Sequence, residues 1–279
     1  MNLPLAFSYS DEFFNVVDTL TCGQLFRYKD LGSGRYGLWS QDKYAEVEQH
    51  DGKVFVYTLD GDYFWRYFDL DEDYASKVKR IAEAAPIMQL ASQGGKGIRI
   101  LKQAPAETVI NFIISANNNI KRIQLIIERI CAALGEQTEF GYAFPSVFSL
   151  SQADASFYRS VGAGYRDVYL ADTAKRLTLE GDLHKFDDMP TESLRRQLLT
   201  YLGVGPKVAD CILLFGFGRG EAFPVDTWLK KVYHKYFEAG HKDGQVADYF
   251  CNLFGSDAGL AQQHLFYFER SGGLAERNK

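Results

Sequence analysis

The spacing of apolar residues changes once along this chain. Over residues 1–95 the apolar positions mostly alternate or sit in short β-branched and aromatic runs, which predicts strands at 24–28, 36–40, 44–49 and 54–59. Asp51-Gly52 separates the last two, and that dipeptide is a strong signal for a two-residue hairpin. Residues 63–68 follow Asp60-Gly61, read here as a turn, and are expected to close an antiparallel sheet. Helical spacing begins at 75–84. Gly94-Gly95-Lys96-Gly97 then marks the boundary between an expected sheet domain, 1–95, and a helical domain, 96–279. Beyond it Ile120, Ile123, Ile127, Ile130 and Leu134 share one helix face. A short apolar helix at 107–115 precedes them, and further helices are expected near 152–158, 166–180, 191–201, 207–217, 227–238, 245–254 and 257–271. The fold class is therefore α+β, mostly α-helical, with a small antiparallel N-terminal sheet.

Composition adds bounds. The chain has 279 residues, 46% apolar and 15% aromatic, enough to bury a large core in ordered subdomains. No run of 18 apolar residues exists, so no membrane span is expected. Residues 1–11 lack the basic flank and apolar stretch of a signal peptide. Cys22, Cys131, Cys211 and Cys251 are widely spaced and form no zinc or iron–sulfur pattern. Free thiols in a reducing cytoplasm, with no metal and no cofactor, are the expectation.

Candidate chemistry gathers at residues 201–211 and at Asp226. Gly203 and Gly205 suit a tight turn, because glycine accepts left-handed conformations. Pro206 suits the first position of the apolar helix that follows. Lys207 at the mouth of that helix reads two ways. It is an exposed first-turn residue or phosphate contact, or it is an amine whose charge is disfavoured by burial and the helix dipole, and so a nucleophile toward a carbonyl-like carbon. Asp226 is an expected N-cap of the next helix. A capping carboxylate at a cleft would also stabilise a developing oxocarbenium ion. Cys211 lies four residues after Lys207 on the same helix face; alone it reads as core.

With Val204-Gly205-Pro206-Lys207-Val208-Ala209-Asp210-Cys211 and Pro224-Val225-Asp226, the chain resembles the helix-hairpin-helix/Gly-Pro/Asp superfamily of DNA glycosylases, and within it the 8-oxoguanine DNA glycosylase/AP lyase branch. Four further segments are similar to that branch in the same order: Cys22-Gly23-Gln24-Leu25-Phe26-Arg27, Asn117-Asn118-Asn119-Ile120-Lys121-Arg122-Ile123, Gly162-Ala163-Gly164-Tyr165-Arg166, and Gly259-Leu260-Ala261-Gln262 with Phe266. Leu202 departs from the usual Pro before the hairpin, and Trp228 stands where eukaryotic members usually carry His.

The resemblance implies a sheet domain packed on two helical subdomains, with a helix-hairpin-helix at about 191–217 and the active site between them. It implies that Lys207 and Asp226 are catalytic. A flipped base would lie between Phe266 and Cys211, its N7 hydrogen on the Gly23 carbonyl and its Watson–Crick edge on Gln262. Lys207 and Cys211 would form an ammonium–thiolate dipole. Asn117, Arg122, Tyr165 and Arg166 would meet the opposite base and wedge the stack, while Gly203 and Gly205 would bind phosphate. The implied partner is double-stranded DNA containing 8-oxoguanine opposite cytosine, met by a monomer.

Charge qualifies this picture. The formal net charge of −5 is unusual for a DNA binder, which then needs a local basic face. Lys96, Arg99 and Lys102, Lys121 and Arg122, Arg166, Lys207, and Lys230 with Lys231 are the candidates. Two rivals stay open: a monofunctional glycosylase for alkylated bases, and a DNA-binding module without catalysis.

Overall fold

The structure is a computed structural model that describes residues 3–237 and 240–273. Its N-terminal part is a five-stranded antiparallel sheet in the order β1-β5-β4-β3-β2, built from β1 (Leu5–Ser10), β2 (Tyr28–Gly32), β3 (Arg35–Ser40), β4 (Lys43–His50) and β5 (Lys53–Thr58). Asp51 and Gly52 both take positive φ, +50° and +73°, as the tight β4–β5 hairpin requires. The first helix, α1 (Val16–Thr21), lies between β1 and β2.

Two strand expectations fail here. Residues 63–68 are not a strand but the body of helix α2 (Gly61–Tyr67), with Asp60 at its N-cap. Phe64, Tyr67 and Phe68 recur at helical spacing and all are buried, so the aromatic run satisfies a 3.6-residue period as well as a β one. The fifth strand is instead β1, whose half-exposed residues carry no buried alternation. Residues 24–27 are also not a strand. Gln24 is buried, and its amide spans the chain, donating to the carbonyls of Thr19 and Arg99 and accepting from the Leu101 N–H.

The remainder is helical: α3 (Tyr74–Ala84), α4 (Pro86–Gly94), α5 (Pro105–Ser115) and α6 (Ile120–Leu134). After a two-residue β-ladder of β6 (Gln137–Thr138) and β7 (Gly141–Tyr142) come α7 (Val147–Ser151), α8 (Ala155–Ser160), α9 (Asp167–Glu180), α10 (Thr191–Leu198), α11 (Pro206–Gly216), α12 (Thr227–Tyr236), α13 (Val246–Phe254) and α14 (Ala258–Arg270). Among the described residues no helix is long and apolar enough to cross a membrane.

Buried apolar side chains form three clusters. One lies under the sheet, between residues 14 and 101; one joins Phe26 to residues 109–222; and one joins residues 74–91 to residues 223–268. Helices α3 and α4, which precede Gly95, thus share their core with the C-terminal helices. Arg99 sits where these parts meet. It is fully buried, donates to the carbonyls of Phe68, Phe13 and Asp69, and lies 3.9 Å from the Tyr74 ring centroid. It therefore cannot belong to a basic DNA face, and its neighbours Lys96 and Lys102 are paired to Glu12 and Asp69.

Candidate active site

The α10–α11 connection is built around one glycine, not two. Gly203 has φ +80°, and a Cβ there would lie 2.5 Å from Cδ2 of Tyr169, so both conformation and space demand glycine. Gly205 is the N-cap of α11 with φ −92° and ψ 179°, ordinary extended backbone, against the expectation of two left-handed glycines. A Cβ on Gly205 would meet nothing within 4 Å. Pro206 then starts α11 and puts Lys207 on its first turn.

Lys207 is half-buried. Its Nζ lies 5.3 Å from the ring centroid of Phe112 on α5, and Cys211 stands one turn along α11. Asp226 caps α12: Oδ1 accepts from the Trp228 and Leu229 N–H groups, both at 2.9 Å. One carboxylate oxygen thus does the capping while the side chain still lines the cleft that Lys207 enters. Trp228, the departure from the family pattern, is 41% exposed with Lys231 Nζ 5.1 Å from its ring centroid.

That cleft is a cavity of about 50 Å³. It brings together Lys207, Asp226, Cys211, Gly23, Gln262 and Phe266, all six residues expected at the chemistry and the base. Its other walls are Cys22, Phe112, Phe215, Pro224 and Gln263. Phe112 and Phe215 sit in uniformly apolar helices, where nothing local separates a wall residue from core. Gln263 follows Gln262 directly, and only its burial in the wall distinguishes it. Gly23 has φ +95°, and a Cβ there would touch Cε1 of Phe266 at 3.6 Å.

The expected thiolate is corrected by burial. Desolvation pushes the Cys211 thiol up to about 11, and the nearby Lys207 offsets only part of this. Cys211 is therefore a neutral thiol at pH 7 in this state. Cys22 behind it is pushed up to about 12 for the same reason.

A second cluster lies past the C-terminus of α5. Asn119, not Asn117, caps α6, its Oδ1 accepting from the Arg122 N–H at 3.0 Å. Asn117 is exposed in a left-handed conformation, φ +48°. Tyr165 is 55% exposed beside it, and its hydroxyl donates to the Ala116 carbonyl at 3.4 Å. Arg122 is exposed and donates to the Gly162 carbonyl at 3.2 Å. Arg166 does not face outward with them. It is buried, donating to the carbonyls of Ala116, Ala163 and Asn117, and that burial lowers its pKa. Helix α5 carries both Phe112, under Lys207, and the Asn117 turn at its end, so it links the two clusters. A larger cavity of about 510 Å³ lies at the far end of α11, beside Gly216 and Gly218, and contains none of these residues.

Comparison with known proteins places the chain in a family. Residues 5–109 match the model of the 8-oxoguanine DNA glycosylase N-terminal domain. A probable N-glycosylase/DNA lyase of Methanothermobacter thermautotrophicus is 35% identical over 207 residues, which are 65% of this chain and 66% of that protein. The N-glycosylase/DNA lyase of Saccharomyces cerevisiae is 31% identical over 254 residues, 78% of this chain and 66% of the relative. The chain thus spans just under two thirds of the length of these curated relatives. The crystal structure of Clostridium acetobutylicum 8-oxoguanine glycosylase/lyase, in complex with dsDNA containing cytosine opposite 8-oxoG, is 34% identical with a TM-score of 0.88, each chain covered over its whole length. A 3-methyladenine DNA glycosylase from Archaeoglobus fulgidus shares the fold at 14% identity, with a TM-score of 0.75. The alkyl-base enzyme is thus a likeness of fold alone, whereas the sheet domain, the cleft and the full-length match carry the identification: the chain belongs to the 8-oxoguanine DNA glycosylase/lyase family.

Proposed function

We propose that this protein is a bifunctional 8-oxoguanine DNA glycosylase and abasic-site lyase of base excision repair. The observation that carries the reading is the convergence of an amine, Lys207, and a carboxylate, Asp226, on one cleft walled by Gly23, Gln262 and Phe266. The Lys207 nitrogen, once it has given up a proton, attacks C1′ of the damaged nucleotide. The glycosidic C–N bond breaks, and its electron pair leaves with the base. Asp226 stabilises the positive charge that develops on the sugar. The resulting amine adduct opens the sugar to a Schiff base. Loss of a C2′ proton then expels the 3′ phosphate by β-elimination, and water releases the enzyme. No cofactor or metal is needed.

A base inside the duplex is reached by extrusion. Gly23 accepts the N7 hydrogen that 8-oxoguanine has and guanine lacks. Phe266 and Cys211 sandwich the base, and Gln262 reads its Watson–Crick edge. The cavity of about 50 Å³ is far smaller than ordinary ligand pockets of about 300 Å³ or more. Phe266 also lines a neighbouring cavity of about 170 Å³. Asn117, Arg122 and Tyr165 meet the vacated stack and the opposite cytosine, and Arg166 holds the turn that presents Asn117 to them. Gly203 shapes the helix-hairpin-helix, while Gly205, which nothing inside the protein requires to be glycine, lets a phosphate approach the backbone. The protein acts as a monomer on DNA in the cytoplasm; its four cysteines are free thiols, as suits a reducing compartment.

Borohydride trapping tests the reading. An 8-oxoguanine duplex is expected to give a covalent adduct that Lys207→Gln abolishes. Base release without an adduct would favour a monofunctional alkyl-type enzyme, and binding alone a module without catalysis.

A further inference from the structure

Gln262 and Gln263 occupy adjacent positions on α14, both are buried at 5% and 4% exposure, and both line the cleft with Lys207. Gln263 Nε2 donates to Gln262 Oε1 at 2.8 Å. Gln263 Oε1 is buried with no partner among the described residues. An amide presents a donor at one end and an acceptor at the other, and a neighbour decides which end a ligand meets. Here Gln263 holds the oxygen of Gln262, which leaves the Nε2 donor of Gln262 for the cavity. The second feature points the same way: the buried Gln263 acceptor stays open until something supplies a hydrogen.

We infer that Gln263 is a specificity-determining positioning residue, which fixes the amide of Gln262 and completes a two-glutamine reader for the edge of a 6-oxo-2-aminopurine. The inference rests on the glycosylase reading above. The Gln262 nitrogen donates to the purine O6, and the Gln263 oxygen accepts from the adjacent N1–H or 2-amino group. A 6-aminopurine reverses that order: it presents a donor where Gln262 donates and an acceptor where Gln263 accepts. The pair therefore rejects oxidised adenine as well as admitting oxidised guanine.

Single-turnover excision of 8-oxoguanine and of 8-oxoadenine from matched duplexes tests this, alongside cleavage of a preformed abasic duplex. The abasic duplex has no base for either glutamine to touch, so it reports folding and the lysine chemistry. Gln263→Leu is expected to slow 8-oxoguanine excision about tenfold or more, because the reader loses both its orientation and its acceptor. Excision of 8-oxoadenine does not fall with it, and abasic cleavage stays within about twofold of the parent. Gln263→Glu has no donor, so it draws the Gln262 nitrogen toward itself and turns the Gln262 oxygen into the cavity. The ratio of 8-oxoguanine to 8-oxoadenine excision is expected to drop further in that variant. An unchanged ratio in both variants overturns the inference, as does an equal loss on all three duplexes. If the parent protein forms no borohydride adduct with 8-oxoguanine, the failure lies in the glycosylase reading itself.

Discussion

Arg166 holds Asn117 from beneath: its Nη2 donates to the Asn117 carbonyl at 3.0 Å while Nε donates to the preceding carbonyl, Ala116, also at 3.0 Å. The guanidinium is buried, and the ring of Tyr165 lies 4.3 Å from it. A non-glycine residue in the left-handed region is strained, and here the strain is held by a charged fork under the loop. The α5–α6 turn that carries Asn117 is thereby tied to the 164–166 turn that carries Tyr165.

Arg166→Ala should therefore destabilise the protein by roughly 2–4 kcal/mol, since several carbonyls lose a charged donor in a buried place. Chemical denaturation measures this. The same variant should lose discrimination between cytosine and other bases opposite the lesion, while cleavage of a preformed abasic duplex is less affected.

Lys207→Gln should keep binding to an 8-oxoguanine duplex and abolish both strand cleavage and the borohydride adduct. Gel shift and trapping on the same samples check this together. A variant that still cuts at the parental rate would refute the mechanism.

The two hairpin glycines should separate. Gly203→Ala forces a Cβ into the Tyr169 ring at a positive φ, and should cost about 2–4 kcal/mol in thermal or denaturant unfolding. Gly205→Ala meets no protein atom and should leave stability within about 1 kcal/mol. It should nonetheless weaken DNA binding, measured by fluorescence anisotropy, if the proposed phosphate contact at Gly205 is made.

His264 predicts a pH effect on folding. It is fully buried on α14, neither ring nitrogen has a hydrogen-bond partner among the described residues, and desolvation pushes its imidazole down to about 4. A base with a depressed folded pKa supports the native state above its ordinary value of 6.5 and loses that support as pH falls toward 4. Between those limits the parent should lose on the order of 3 kcal/mol relative to His264→Leu. Asp210, raised to about 7 by burial despite the Arg195 charge, works in the opposite direction but is present in both proteins. The difference between the two unfolding curves, not either curve alone, is the measurement.

Much of this molecule is written in local chemistry. Asp51-Gly52 specifies its hairpin because both residues tolerate positive φ, as they do here. Most helices from α5 onward follow their apolar spacing, but α7 (Val147–Ser151) was not expected, and the helix expected near 152–158 starts only after the Asp154 cap. The Lys207 and Asp226 positions follow from a helix start and a helix cap, features of a few adjacent residues. The aromatic run at 61–67 was not legible, because its spacing fits both periods and only packing under the sheet chose the helix.

Charge behaves differently from backbone pattern. Arg99 and Arg166 read as surface cations, yet each is enclosed and spent on carbonyls supplied by other segments of the chain. Cys211 reads as a partner for Lys207, yet burial pushes its thiol up to about 11. Local sequence was enough to single out the residues that line the Lys207 cleft and the starts of most helices. Which charges are buried and which stay in solvent was settled by the fold, because solvation is set by atoms far apart along the chain.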